Sequence, residues 1–181
     1  MDVFHVALNA TFSPLHSHCP NLSVLKLRRC SLSSAAASSI CKLGCLKILD
    51  LSENEIEVFE LDDVTRDSLI VLDLSNNAIE RPEDIAGPLK NLVYLDLSSN
   101  KVTSFDVNKW CAVAPNAIYI SLLDNLISFC SESAPHFSSE PPVCSFNFTG
   151  NQISSIGTNT LSNVAPVWLN LSENTLFEVC Q

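Results

Sequence analysis

Leu46–Ile56 reads LKILDLSENEI, Leu69–Ile79 reads LIVLDLSNNAI and Leu92–Val102 reads LVYLDLSSNKV. All three obey LxxLxLxxNx followed by an aliphatic residue. A weaker copy precedes them at Leu22–Leu32 (LSVLKLRRCSL). Three more follow, at Ala117–Ile127 (AIYISLLDNLI), Val143–Ile153 (VCSFNFTGNQI) and Pro166–Leu176 (PVWLNLSENTL). The units start 24, 23, 23, 25, 26 and 23 residues apart. Such a period marks stacked supersecondary units that share one core. Apolar residues at positions 1, 4 and 6 of the unit face that core, and the 4-to-6 alternation is that of a strand. A strand this short cannot bury its apolar face alone, so successive strands pair in parallel, roughly 4.8 Å apart. Position 9 reads Asn54, Asn77, Asn100, Asn125, Asn151 and Asn174, with Cys30 in the first unit. Here the chain leaves the sheet and its backbone groups need partners. An amide both donates and accepts, so one side chain can serve its own turn and the next.

These units resemble the leucine-rich-repeat family over about residues 22–181. Their spacing and LDLSxN wording are most similar to the typical class found in Toll-like receptor ectodomains and related recognition proteins. The resemblance implies an α/β solenoid, a curved horseshoe of about seven repeats. Its parallel sheet would be concave, with short helices, 3₁₀ turns and loops on the convex side. Residues 1–21 read as an irregular N-terminal cap with an edge strand at Val3–Leu8. The repeats begin near 22, 46, 69, 92, 117, 143 and 166. Position 14 supplies a second apolar layer, Ala35, Phe59, Phe105, Ile156 and Val179, with Pro82 and Cys130 as exceptions. Helices are predicted at Ser34–Lys42 and Val107–Ala112, and the proline-bearing Ser131–Pro142 reads as a loop.

The 181 residues carry 20 acidic and 10 basic side chains, a net charge of -10. That balance argues against a nucleic-acid binder, which needs a basic face. With 17% charged and 46% hydrophobic residues the chain is not disordered. Only 4 glycines occur, and neither GxGxxG nor GxxxxGK[ST] is present, so no phosphate-cradling loop is expected. GxSxG and HExxH are also missing, and the histidines (5, 16, 18, 136) fall off the repeat strands. The reading is a non-enzymatic chain that uses no cofactor or metal. His16, His18 and Cys19, with Cys41 and Cys45, match no zinc spacing, so these cysteines read as small apolar cap residues. Asp62/Asp63 and Glu83/Asp84 read as solvated acid pairs. Cys130 and Cys144 flank the proline-rich loop and are a candidate disulfide in an oxidising compartment. No apolar run approaches the roughly 18 residues of a membrane span. The N-terminus, MDVFHVALNATFSPLHSHC, lacks the basic and apolar regions of a secretory signal. That leans towards the cytoplasm; a fragment of a longer secreted chain would carry the sequons at Asn9, Asn21, Asn147 and Asn170 outside the cell.

Positions 2, 3, 5, 7 and 8 face away from the core. Position 5 reads Lys26, Asp50, Asp73, Asp96, Ser121, Asn147, Asn170, and position 3 reads Val24, Ile48, Val71, Tyr94, Tyr119, Ser145, Trp168. Serine fills most of position 7, and Lys26, Arg28 and Arg29 gather at the first unit. The three aspartates should raise one another's pKa, with Lys26 relieving Asp50. Tyrosine, tryptophan and arginine dominate interface energetics, and a patterned charge field orients a partner. The expected function is therefore recognition of a protein partner, basic in character, by the concave face. The rivals are a truncated ectodomain that binds a glycan or lipid, and a structural solenoid with an unused face. The sequence stops at Cys180–Gln181 within its seventh unit. An uncapped edge at Leu169, Leu171, Leu176 and Val179, open to self-association, is the expectation there.

Overall fold

The computed structural model describes residues 18–40, 43–85, 87–130, 143–157, 160–161, 164 and 166–179, with only the backbone at 84, 129–130 and 178–179. The predicted Val3–Leu8 strand and the Ser131–Pro142 loop lie outside these residues. Seven three-residue strands form one parallel sheet: β1 (Val24–Lys26), β2 (Ile48–Asp50), β3 (Val71–Asp73), β4 (Tyr94–Asp96), β6 (Tyr119–Ser121), β8 (Ser145–Asn147) and β10 (Trp168–Asn170). Each occupies positions 3–5 of its unit, and neighbours pair without slippage, as in Asp50↔Asp73 and Asp73↔Asp96. Position 4 points inward: Leu49, Leu72, Leu95, Ile120 and Phe146 are fully buried.

The return segments differ from unit to unit. Helix α1 (Ser34–Ile40) turns Ala37 and Ile40 inward. Ala35 is therefore exposed and does not join the second apolar layer. Helix α2 (Asp63–Ser68) spans 6 residues, too few for its period to stand out in the sequence. Asp62 caps it by accepting from Thr65 N at 2.7 Å, and Asp63 pairs with Arg66. So Asp62 is engaged, not merely solvated, and as an N-cap it stabilises α2. A 3₁₀ turn follows at Pro82–Ile85. Helix α3 (Val107–Val113) is capped by Asp106 and buries Val107, Trp110 and Cys111. Four two-residue strands also pair on this side: β5 (Ser104–Phe105) with β7 (Phe129–Cys130), and β9 (Ser155–Ile156) with β11 (Glu178–Val179). These strands at positions 13 and 14 are additional to the helices and turns expected there. A helix is about 10 Å wide and a paired strand about 4.8 Å. Stacking the two sides curves the solenoid with its main sheet inside.

An aromatic knot fills the core of the fourth to sixth repeats. Phe105 stacks on Trp110 at 5.5 Å and meets Phe148 edge-on at 5.9 Å. Phe148 lies 6.0 Å from Phe146.

The position-9 asparagines form a ladder that reaches backwards. Asn54 Nδ2 donates to Leu51 O at 2.8 Å in its own turn and to Leu27 O at 2.9 Å in the repeat before, while its Oδ1 accepts from Leu32 N at 3.0 Å. Asn100 repeats this with Leu97 O, Leu74 O and Ile79 N, each at 3.0 Å. The partner is thus the preceding repeat, not the next. Cys30 Sγ donates to Arg28 O at 3.4 Å, the own-turn bond that Asn54 makes to Ser52 O.

Position 8 is left-handed in every unit: Arg29, Glu53, Asn76, Ser99, Asp124, Gly150 and Glu173 have φ between 52° and 70°. The chain turns off the strand here, whatever residue it carries. An L-residue loses about 1–2 kcal/mol in this region, and glycine gives back about 0.5–1 kcal/mol as backbone entropy. Ser99→Gly is therefore expected to raise stability by about 0.5 kcal/mol. A denaturation midpoint at or below that of the parent would contradict this.

Candidate functional site

The strand register brings the residues singled out in the sequence onto the inner face of the sheet. Tyr94 stacks on Tyr119 with ring centroids 5.5 Å apart. Tyr119 in turn meets Trp168 at 6.2 Å. Ser145 stands between these two in the position-3 row, and its small side chain lets the rings close over it. The result is one aromatic band across four strands, with Trp168 44% exposed.

Alongside runs position 5. Asp50 Oδ1 accepts from Ser52 N at 3.1 Å and Ser52 Oγ at 2.6 Å. Asp73 holds Ser75 in the same way, at 3.0 and 2.7 Å, and Asp96 holds Ser98. Asn147 does this for Thr149, and Asn170 for Ser172. This local turn needs one side-chain oxygen and no charge. The hydroxyls of Ser52, Ser75 and Ser98 are buried by it, so they are not displayed to a ligand. The second oxygen of Asp96 accepts from the Tyr94 hydroxyl at 3.0 Å. Those of Asp50 and Asp73 have no hydrogen-bond partner among the described residues.

Burial pushes the Asp73 carboxyl above its ordinary range; the Ser75 bonds oppose this, and the charges of Asp96 and Asp50 add to it. Like-charge repulsion thus acts at Asp73, but behind burial. Burial also raises the Tyr94 phenol, helped by Asp96. Folding makes Asp73 hold its proton more tightly than the unfolded chain does. Above its ordinary value of 3.8, stability therefore falls as pH rises through the raised one. Asp73→Asn keeps the bonds to Ser75 and removes the charge. It is expected to stabilise the protein at pH 7 and to lose that advantage below about pH 4. A variant that melts below the parent at pH 7 would refute this.

The basic end is more nearly neutral than its sequence suggests. Arg28 and Arg29 both bond Glu53, the Arg28 Nε at 2.8 Å. These bonds, Arg29's foremost, hold the Glu53 carboxyl below its usual range. Lys26 pairs in register with Asp50 but makes no ion pair with it.

One column escaped the sequence reading. Ile70, Ile118 and Val167, all at position 2, are 36%, 62% and 72% exposed. Ile118 and Val167 immediately precede Tyr119 and Trp168 in the chain. Reading position 2 as a column would have found them, but Cys144 breaks it by turning inward. Cys144 and Cys111 carry free buried thiols, each pushed up to about 12 by burial. The Cys130 side chain lies outside the described residues, as do Asn9, His16 and Cys41. Cys19 and Cys45, both free, line one apolar hollow with Leu22, Leu43 and Val64. Among the described residues no cluster of three His, Cys, Asp or Glu could hold a metal.

A family model described as Leucine Rich repeats (2 copies) matches residues 67–110, the stretch that holds β3, β4, Asn77 and Asn100. That stretch is a pair of leucine-rich repeats. A solved leucine-rich-repeat protein of Leptospira interrogans shares the fold, with a TM-score of 0.52 and 22% identity over 87% of this chain. The chain spans 45% of that protein's length. Among curated proteins, none matches the sequence at a significant level. Leucine-rich repeats are interaction modules, generally without enzymatic activity. Neither comparison bears on the Toll-like class that the repeat wording resembles. No helix among the described residues is long and apolar enough to cross a membrane.

Proposed function

We propose that these leucine-rich repeats recognise a protein partner on the inner face of the sheet and carry out no catalysis. The observation that carries this reading is the Tyr94–Tyr119–Trp168 band, held in register by the backbone, with the tyrosines half-buried and Trp168 exposed. Aromatic rings displayed together on a rigid sheet supply large contact area at little entropic cost, which is how interface hot spots work. The acidic row beside it favours a partner with a basic surface, whose binding weakens as salt screens the contact. The free thiols at Cys19, Cys30, Cys45, Cys111 and Cys144 suit a reducing compartment.

Affinity capture from lysate tests the reading, with the parent and a Tyr94→Ala/Tyr119→Ala variant compared at equal, verified folding. The variant is expected to retain a captured protein at least about tenfold less well, as for loss of a hot-spot cluster. Full retention would sink the inner-face reading. Glycans occupying Asn147 and Asn170 would block one end of the face and favour a non-protein ligand instead.

A further inference from the structure

The position-5 aspartates carry a charge that the turn does not use. Asn147 and Asn170 make the same two hydrogen bonds with a neutral amide. Asp50, Asp73 and Asp96 nevertheless stand on adjacent strands, where like charges repel. Beside them runs the position-3 column, Ile48 and Val71 on β2 and β3 and then the three stacked rings on β4, β6 and β10. Both columns run across the strands, along the solenoid axis. They are two residues apart on each strand, about 6.7 Å. One element about 10 Å wide can therefore cover both.

We infer that the occupant of this face is a basic amphipathic helix lying along the solenoid, apolar side on the ring band and Lys/Arg side over Asp50 and Asp73. This rests on the inner-face reading and adds the form of the partner. Period decides the form. Asp50 to Asp96 spans two strand spacings, about 9.6 Å, and two helical turns rise about 10.8 Å. Two side-chain repeats of an extended segment cover about 13.4 Å and fall out of step by about 4 Å. A helix keeps one side chain per strand in both columns; an extended chain loses the second or third. From Val71 on β3 to Trp168 on β10 there are four spacings, about 19 Å, which fits about 13 helical residues.

The test uses two synthetic eighteen-residue peptides of identical Leu, Lys, Arg and Gln composition. One places Leu at helical spacing with the cations on the adjoining face; the other alternates Leu and cation as an amphipathic strand. Trp168 fluorescence reports occupancy, since Trp110, the other tryptophan, is buried at 3% exposure. The helical peptide is expected to bind at least about tenfold tighter than its isomer and to gain helicity on the protein, with Asp50→Asn/Asp73→Asn weakening it about tenfold at low salt. Equal or tighter binding of the alternating isomer overturns the helical form and leaves the inner-face reading standing. So does failure of both peptides while a captured protein still depends on Tyr94 and Tyr119. Binding of the helical peptide that ignores Tyr119→Ala and the double Asn variant removes it from this face altogether.

Discussion

Phe105→Ala is expected to cost about 4 kcal/mol of stability, the largest single loss in the chain. Phe105 is fully buried and touches two other rings, Trp110 from the return helix and Phe148 from the sheet side of the core. Truncation removes the buried ring and leaves a cavity between two rigid partners, so the site collapses poorly. The ring pairs contribute further, about 0.5–1.5 kcal/mol each. Phe177, 85% exposed, provides the contrast. Phe177→Ala is expected to change stability by less than about 0.5 kcal/mol. Chemical denaturation followed by circular dichroism measures both. Similar midpoint shifts for the two variants would mean that the aromatic knot is not where stability concentrates.

Asn100→Ala is expected to cost about 3 kcal/mol, or a fall in melting temperature of about 6–12 °C. The side chain is 8% exposed. Its loss strands the N–H of Ile79 and takes one of two donors from the carbonyls of Leu74, Leu97 and Ser98, which keep Asn77, Asn125 and the Asn76 N–H. Two of these belong to the preceding repeat, so the damage crosses a repeat boundary. Asn76 is exposed and one residue before the ladder, but Asn76→Ala is a poor control, because its φ of 54° makes alanine strained there. Asn76→Gly keeps the backbone at ease and is expected to be near neutral. If Asn76→Gly and Asn100→Ala melt alike, the ladder does not hold the stack together.

The strands were legible because their signal repeats: Leu at positions 4 and 6 and Asn at position 9 place β2, β3 and β4 without ambiguity. Even the weak unit at Val143–Ile153 falls into register, since Phe146 and Phe148 replace leucines in kind. What stayed hidden depends on single backbone angles and single partners. No residue type at position 8 betrays the left-handed turn, because Arg29, Glu53 and Ser99 adopt it as Gly150 does. Helix α2 and the strands β5, β7, β9 and β11 are too short for a period to emerge. On the inner face, the stacked rings followed from the register. That Glu53 binds both Arg28 and Arg29 and offsets one of their two charges did not, because it depends on the side-chain paths of three residues 24 and 25 positions apart.

The bond at position 5 is indifferent to whether its acceptor is a carboxylate or an amide. Aspartate and asparagine are separated by a single-base codon change. Five strands, β2, β3, β4, β8 and β10, therefore each hold one site whose charge can be rewritten by the smallest genetic step while the turn beneath it stays put. Foldability and electrostatic identity are inherited separately along this row. The surface can drift from acidic to neutral, strand by strand, through intermediates that all fold.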